Sequence, residues 1–343
     1  MQKIFMVGEQ RSGSNLLRLM LNQNPSIACP HPPHILQRIT PLLKHYGPLD
    51  CNRAFDFLID DVCQLIEQNP VQWDNIKSFD RAQVKSKCRD RSLIAVFGAV
   101  MDIYAEANQA SSWLCKSMQF IRWAEQLDAY FGNPKYIYLY RDVRDVVLSF
   151  SKAIVGEKHP YFITKQWVEL QKICLQQREG IHSDRFISLS YENLTSKTAP
   201  TLQSLCNFLG IEYQESMLEF YTSKEAKQTS QSSRLWSNVA KPTMRDNSQK
   251  FLKELSHEEG VLIESVAGDV LDTLGYERVY IEKGQERSFT ETEIREFHEI
   301  NEQLKKETKK RADTDDTARR EKQLSVLHTI TSRSIIHDLD ARE

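Results

Sequence analysis

The feature that most constrains the fold lies near the N-terminus, where a short apolar strand is predicted to run through a polar loop into an apolar helix. Residues 3–7 form the predicted strand, the loop begins at Gly8, and a helix predicted over 14–23 opens at Ser14 or Asn15. Backbone N–H groups converge at such a junction, and the helix dipole favours negative charge there. The pattern therefore indicates an oxyanion-binding loop in an α/β protein.

The loop itself carries groups that a bound anion requires. Arg11 supplies a cation, and Ser12 and Ser14 supply two hydroxyls. The loop lacks the lysine of the ATP-type pattern G-x-x-x-x-G-K-[ST], and it does not match the dinucleotide pattern G-x-G-x-x-G. Two interpretations remain, an anion site of another kind or an ordinary capped first helix of an α/β domain.

A second segment brings a cation and a hydroxyl to the end of another buried strand. Residues 135–140 predict a strand, and a helix is predicted over 142–153. Arg141 stands at the carboxyl end of this strand, and Ser149 lies about two helical turns later. Because ligands bind at the carboxyl ends of strands in open parallel sheets, the pair suits a second phosphate. The alternative is a turn in which Arg141 pairs with Asp145 at i,i+4.

These segments, in this order and at this separation, resemble the sulfotransferase family. Residues 11–14 resemble the family's 5′-phosphosulfate loop, Arg141 and Ser149 match its 3′-phosphate site, and Tyr191 matches a tyrosine near the adenine. The resemblance covers about residues 1–280. An arginine in the loop, where the cytosolic phenol and steroid enzymes carry lysine, makes the chain more similar to the tyrosylprotein and bacterial branch.

The resemblance implies a three-layer, P-loop-like α/β fold with a central parallel sheet flanked by helices over residues 1–281, and a charged tail over 282–343. It also implies 3′-phosphoadenosine 5′-phosphosulfate (PAPS) as donor, 3′,5′-diphosphoadenosine as product and no metal. Trp236 and Lys241, in a polar loop, are candidates to stack on adenine and to cover the phosphates. The residues expected to hold the donor are Arg11, Ser12, Gly13, Ser14, Asn15, Arg141, Ser149, Tyr191, Trp236 and Lys241.

Sulfuryl transfer requires stabilisation of the charge that spreads over the sulfonate oxygens and builds on the leaving phosphate. Arg11 and the N-terminus of the first helix suit this role. Lys116 is a second candidate, since it closes a predicted strand over 112–116 and matches a lysine that contacts the sulfonate in tyrosylprotein sulfotransferases. The alternative is a surface lysine at a strand end.

The catalytic base is where the chain departs from the family. Tyrosylprotein sulfotransferases use a glutamate shortly after the first helix, but residues 28–34 contain no carboxylate. They contain His31 and His34, held by three prolines. Histidine is the commonest general base near neutral pH, so either one is a candidate base. The alternative is a rigid turn with structural histidines, and two histidines are too few for a zinc site.

Composition limits the partners and the compartment. The formal net charge of −2 gives no global basic field for nucleic acid. The seven scattered cysteines favour a reducing compartment, and we expect no membrane span and no leader, hence a cytoplasmic protein. The acceptor stays open among hydroxylated small molecules, sugars, lipids and peptides. Candidate aromatic lining residues of its pocket are Tyr46, Phe55, Phe79, Phe97, Tyr104, Tyr161 and Phe162.

Two other functions compete with a sulfotransferase. A kinase-like phosphoryl transferase on a related fold is disfavoured by the missing phosphate-loop lysine. A non-catalytic nucleotide-binding interaction protein is favoured by the missing glutamate and the long tail.

The tail over 282–343 is rich in Glu, Lys, Arg and Thr. Its apolar stripes are thin, so the sequence favours a solvated or partly disordered tail over a dimerising or partner-binding helical arm. The stripes consist of Ile294, Phe297 and Leu304, and of Leu324, Leu327 and Ile330.

Overall fold

The part of the chain that the structure describes is built on one parallel five-stranded sheet. The computed structural model describes residues 1–232, 234–244, 247–310 and 314–333. The strand order is β2-β3-β1-β4-β5, and every neighbouring pair is parallel. The strands are β1 (Gln2–Gly8), β2 (Ile27–Ala28), β3 (Ser112–Cys115), β4 (Lys135–Tyr140) and β5 (Phe186–Ser190). This confirms the predicted α/β class; the two-residue β2 was not predicted, because so short a strand has no periodicity to detect.

Both faces of the sheet are covered. Along β1, Phe5 and Val7 belong to one buried cluster, whereas Ile4 and Met6 belong to another on the opposite face. Strand side chains alternate between faces, so a strand apolar throughout needs helices on both sides. The helices supply that cover and make the fold three-layered.

The helices follow the predicted βα alternation. They are α1 (Ser14–Leu21), α2 (Ile35–Ile39), α3 (Asn52–Glu67), α4 (Arg81–Lys87), α5 (Leu93–Ala107), α6 (Ala124–Phe131), α7 (Val143–Ser151), α8 (Pro160–Gly180), α9 (Tyr191–Ser196), α10 (Thr198–Leu209), α11 (Lys224–Ser232), α12 (Phe251–Glu254), α13 (His257–Leu274), α14 (Glu291–Lys310) and α15 (Thr314–Ser332). Single 3₁₀ segments occupy Thr40–His45, Met118–Trp123, Glu215–Thr222 and Arg234–Ala240.

Two differences from the predicted helices have local causes. The helix predicted over 35–46 changes to 3₁₀ geometry at Thr40–His45, where Pro41 removes a backbone donor. The charged stretch 74–91 contains α4, which begins because the Asp80 carboxylate accepts hydrogen bonds from two first-turn N–H groups.

The C-terminal segment is helical and packs on the sheet domain. Val326 and Ile330 of α15 are buried in the same cluster as Phe5. Asn301 of α14 is buried and accepts hydrogen bonds from the N–H groups of Lys158 and His159 at 2.8 and 3.0 Å. The expectation of a solvated tail therefore differs from the structure over 291–310 and 314–333, whereas residues 311–313 and 334–343 of that tail lie outside the described residues.

Candidate functional site

A cleft of about 1320 Å³ opens along the carboxyl edge of the sheet, where β1 and β4 end. Its lining includes all but one of the residues that the sequence assigned to donor binding or catalysis: Arg11, Gly13, Ser14, Asn15, His31, His34, Lys116, Arg141, Ser149, Tyr191, Trp236 and Lys241. The exception is Ser12 of the loop after β1, which is fully buried. The residues assigned to donor binding and to catalysis thus share one cavity.

The loop after β1 owes its shape to two residues in the left-handed backbone region. Arg11 has φ 66° and Gly13 has φ 84°. A Cβ atom on Gly13 would lie 2.4 Å from the ring of Tyr191, so the tyrosine can approach the loop only because this residue is glycine. Gly13 is also the N-cap of α1 and offers no side-chain cap, which leaves the first-turn N–H groups for a ligand.

Arg141 joins the two predicted anion-binding segments. Its guanidinium donates to the Arg11 carbonyl oxygen at 3.1 Å and to the Asn247 carbonyl oxygen at 2.6 Å, and it lies 4.2 Å from the centre of the Tyr191 ring. It also pairs with Asp145 at 3.5 Å, as the alternative interpretation expected. Its Nε is buried with no partner among the described residues, so this N–H can still donate to an added acceptor.

Ser149 contacts the loop after β1 directly. The Arg11 Nε donates to the Ser149 Oγ at 2.9 Å. Burial and the neighbouring Arg141 lower the pKa of Arg11 from its ordinary value. Two guanidinium groups and a hydroxyl therefore face one another across the end of the sheet, an arrangement that an oxyanion would stabilise.

Lys116 is a buried cation at the base of the cleft. Its ammonium group donates to the Asn15 Oδ1 at 3.2 Å, which ties the end of β3 to the first turn of α1. Burial, together with Arg18 and Arg11, lowers its pKa to about 7. A lysine in these surroundings is stabilised in its charged form by a bound anion.

His31 is held in one tautomer by its neighbours. Its Nδ1 lies 3.1 Å from the Asn69 Oδ1. The orientation of that amide is fixed because its oxygen accepts from the Val71 N–H at 3.3 Å while its Nδ2 donates to the His31 carbonyl at 3.3 Å. The Nδ1 of His31 must therefore donate, which leaves a lone pair on Nε2. Within the described chain Nε2 has no hydrogen-bond partner, although it is buried.

His34 lies at the start of α2 with φ 57°. Its Nδ1 is buried without a partner among the residues described, and no orienting amide faces it there. Burial is the main cause that lowers the pKa of both histidines well below the usual 6.5, with Lys116 repelling a proton on either ring. Both rings are therefore neutral at pH 7, the state in which one ring nitrogen carries a lone pair.

Trp236 packs edge-to-face against His31, with ring centroids 5.1 Å apart. The adenine-stacking role stays a prediction, as does the role of Lys241, which lies exposed on the rim of the cleft.

The predicted aromatic lining is absent from the described part of the cleft. Six of the seven candidates are buried core residues instead, because α3, α5 and their neighbours bury apolar side chains on most faces. These six are Tyr46, Phe55, Phe79, Phe97, Tyr104 and Tyr161. The seventh, Phe162, contacts the C-terminal helices through His298.

Sequence reasoning missed several residues that shape the cleft. Asn247 binds Arg141 through its carbonyl and donates from Nδ2 to the Tyr191 hydroxyl at 2.6 Å. Asn69 orients His31, and Gln323 of α15 reaches the rim beside Arg38. Single amides carry no periodic signal, so sequence patterns did not indicate any of these three residues.

The site offers nitrogen and hydroxyl donors for an anionic ligand rather than ligands for a metal. Across residues 1–232, 234–244, 247–310 and 314–333, no group of three His, Cys, Asp or Glu side chains is arranged to hold a metal ion. Over the same described ranges, no helix is both long and apolar enough to cross a membrane.

Comparison with known proteins agrees with this geometry. A sequence profile of the sulfotransferase family matches residues 3–215, more than half of the chain. The chain therefore belongs to the sulfotransferase family, and it is a sulfotransferase enzyme.

Relatives and solved structures extend the match. Protein-tyrosine sulfotransferase 2 of Gallus gallus is 22% identical over 289 residues, which cover 81% of this chain and 70% of the relative. The sulfotransferase domain of the Synechococcus PCC 7002 olefin synthase superimposes with a TM-score of 0.53 at 19% identity, covering 80% of this chain and 94% of that domain. The sulfotransferase domain of the curacin biosynthetic pathway gives 0.52 at 22% identity, covering 81% and 99%. These two structures support the fold.

Proposed function

We propose that this protein transfers a sulfonate group from PAPS to an acceptor hydroxyl, with His31 as the general base. The observation that carries the proposal is that one cleft joins paired guanidinium groups at its donor end to a neutral histidine whose tautomer is fixed. PAPS supplies the activated sulfonate, whose bond to the 5′-phosphate oxygen breaks as the acceptor oxygen bonds to sulfur.

The donor end fits a nucleotide with two separate anionic groups. The loop after β1 and the first turn of α1 offer N–H groups and Arg11 to one of them. Arg141 and Ser149 offer a guanidinium and a hydroxyl to the other. The unpartnered Arg141 Nε and the close packing of Tyr191 on Gly13 support a ligand at this position.

Proton removal is assigned to the Nε2 of His31. Asn69 holds the ring so that the lone pair is on Nε2, as an orienting residue does for a catalytic base, and His31 is one of the residues that line the cleft. The acceptor hydroxyl gives its proton to this nitrogen while its oxygen bonds to sulfur. Lys116 and Arg11 stabilise the negative charge that grows on the leaving phosphate.

The acceptor class and the compartment are also proposals. Because the curated relative above is a protein-tyrosine sulfotransferase, a tyrosine peptide is the first acceptor to test, followed by sugars, lipids and small alcohols. All seven cysteines are free thiols, which supports a reducing, cytoplasmic environment.

Replacement of each histidine tests the base. We expect His31→Ala to lower the transfer rate about 10²–10⁴-fold, the usual contribution of a general base. His34→Ala, the matched control, should lose much less, because His34 lacks an orienting partner among the described residues. Both variants should bind 3′,5′-diphosphoadenosine as the wild type does in calorimetry.

The pH profile gives a second check. The pKa of His31 lies well below 6.5, so the rate should rise with pH at acidic values and be level by about pH 7. Full activity in the double His31→Ala, His34→Ala variant would overturn the base assignment. Binding of ATP·Mg²⁺ in preference to 3′,5′-diphosphoadenosine would overturn the sulfonate donor and favour a kinase-like enzyme. Diphosphate binding without transfer to any acceptor would favour an interaction protein.

A further inference from the structure

A buried amide in the C-terminal helix α15 contacts the acceptor end of the cleft. Gln323 is only 5% exposed, although its neighbours Lys322 and Leu324 are exposed. Its Oε1 accepts a hydrogen bond from Arg38 Nη1 at 2.7 Å, and its Nε2 donates to the Leu65 carbonyl oxygen at 2.8 Å. Both ends of the amide are therefore used to join elements that are far apart in sequence.

The two partners of Gln323 belong to the segments that carry the histidines. Arg38 lies one turn after His34 in α2, and its N–H donates to the His34 carbonyl at 3.0 Å. The lowered pKa of His34 is caused mainly by burial, and the positive charges of Lys116 and Arg38 add to it. Leu65 lies in the last turn of α3, directly before the turn that carries Asn69, the residue that orients His31.

Helix α15 is fixed in this position by contacts beyond Gln323. Val326 and Ile330 enter the buried core on the same side of the helix. Arg333 pairs with both oxygens of Asp61 at 2.7 and 3.0 Å, and that carboxylate also accepts from the Tyr46 hydroxyl. A helix fixed at these points can form a rigid wall.

The wall borders the cleft. The cleft is lined here by Gln323 and Leu324 of α15, by Thr308 of α14, and by Gln37 and Arg38 of α2. Amide, hydroxyl and guanidinium groups dominate this stretch, which lies on the histidine side of the cavity. Such groups bind a ligand substituent that is anionic or forms hydrogen bonds better than they bind a flat apolar ring.

We propose that α15 forms the outer wall of the acceptor site and that Gln323 is a positioning residue. Its two hydrogen bonds hold Arg38 and the two histidine segments in place. The acceptor that fits this site carries a polar or anionic substituent near its hydroxyl. The acceptor part of this inference rests on the proposed function. The placement of Gln323 relative to the histidines is independent of it and has its own measurement.

The first measurement is the reactivity of the histidines toward diethyl pyrocarbonate, followed peptide by peptide in protein saturated with 3′,5′-diphosphoadenosine. Gln323→Leu, which removes both hydrogen bonds at nearly constant volume, should accelerate modification of His31 and His34. Lys322→Ala is the control on the exposed face of α15, and the exposed His182 is the internal reference. Unchanged rates at both cleft histidines in Gln323→Leu would overturn the positioning role.

A second variant tests the same wall independently, in case Gln323→Leu fails to fold. Leu324 is 58% exposed and lines the cleft, so Leu324→Trp adds bulk at the wall without entering the core. It should slow modification of His31 and His34 and leave the Kd of 3′,5′-diphosphoadenosine unchanged. Faster modification, or a rate equal to that of the wild type, would show that α15 does not border the acceptor site.

The third measurement is transfer from labelled PAPS to a tyrosine peptide with acidic neighbours, a simple phenol and an alkyl glucuronide. Gln323→Leu should raise the acceptor KM about tenfold for the two anionic acceptors, the scale of one lost charge-assisted hydrogen bond. The KM of PAPS should change little, and the KM of the phenol, which carries no anionic substituent, should rise much less than that of the anionic acceptors. Equal losses for all three acceptors would contradict recognition through Arg38. Absence of transfer by the wild type would count against the proposed function, whereas the histidine-reactivity result would still decide the position of α15.

Discussion

The two ends of the cleft are built in different ways. The donor end consists of residues that directly follow strand ends, with Arg11 after β1 and Arg141 after β4, and these two strands are neighbours in the sheet. The acceptor end is assembled from distant segments, and its Arg38–Gln323 contact joins residues 285 positions apart. A site at adjacent strand ends is thus determined by local sequence, whereas the acceptor wall depends on how an appended helix packs.

The largest effect is expected from a substitution that loosens the packing of α15 on the sheet domain. Ile330 is fully buried in α15, and Ile330→Ala should lower the free energy of unfolding by about 2–5 kcal/mol through lost burial and a residual cavity. Ile300→Ala in α14 is a matched control because Ile300 is 46% exposed. Its effect should stay within about 0.5 kcal/mol. Urea denaturation followed by circular dichroism measures both.

An equal, small effect of the two isoleucine variants would mean that α15 does not pack as described. The acceptor end would then lack its outer wall, and the tail would behave as the solvated segment that its composition suggests. Nucleotide binding is a separate measurement on the same variant. If Ile330→Ala is destabilised and still binds 3′,5′-diphosphoadenosine under native conditions, the donor end does not depend on the packing of the tail.

The same contrast explains what the sequence could predict. Strand and helix periodicity located four of the five strands, and hence the relation of Arg11 to Arg141. The sequence did not predict that α15 contributes to the acceptor end of the cleft. Only three of its side chains between 323 and 330 are buried, and one of these is the polar Gln323. Leu324, expected on the apolar stripe, is 58% exposed. Burial of an amide by two specific hydrogen bonds is a tertiary effect that hydrophobic patterning does not register.

The acceptor pocket was mispredicted for a related reason. Aromatic residues such as Phe97 and Tyr104 were candidates for a pocket, but α5 is buried on nearly every face and places them in the core. The amides of Gln37, Asn69 and Gln323 line the cleft near the histidines, where these aromatic residues were expected. Sequence alone cannot separate these cases, because an aromatic residue at helical spacing fits either environment.

A sharper test of the donor end uses Arg141. Arg141→Ala should weaken binding of 3′,5′-diphosphoadenosine by about 10–100-fold, corresponding to roughly 1.5–3 kcal/mol for a charge-assisted contact. Binding of AMP, which lacks the 3′-phosphate, should change far less. Calorimetric titration with both nucleotides gives the two affinities.

Arg141→Lys is the companion variant, since it keeps the charge but cannot donate to the Arg11 and Asn247 carbonyls in the same geometry. An intermediate affinity is expected. Equal losses of AMP and diphosphate binding in Arg141→Ala would show that Arg141 supports the loop rather than binding the 3′-phosphate.

The smallest expected effect is the pH dependence of donor binding, which reports the charge at the junction of the two ends. The pKa of Lys116 is about 7 in the free protein, so this lysine is protonated below that value and neutral above it. An anion binds the protonated form better, and the Kd of 3′,5′-diphosphoadenosine should therefore rise above pH 7, by at most about tenfold per pH unit for one proton.

Glu9 is the other group at the loop with a pKa of about 7, because its carboxyl is buried, and its ionisation above pH 7 adds a negative charge that acts in the same direction. Lys116→Arg keeps a permanent charge and should remove the larger part of the slope, while Glu9→Gln should remove the remainder. Calorimetry from pH 6 to 9 measures the slope, and a Kd that is flat over this range in the wild type would mean that neither group faces the bound phosphates.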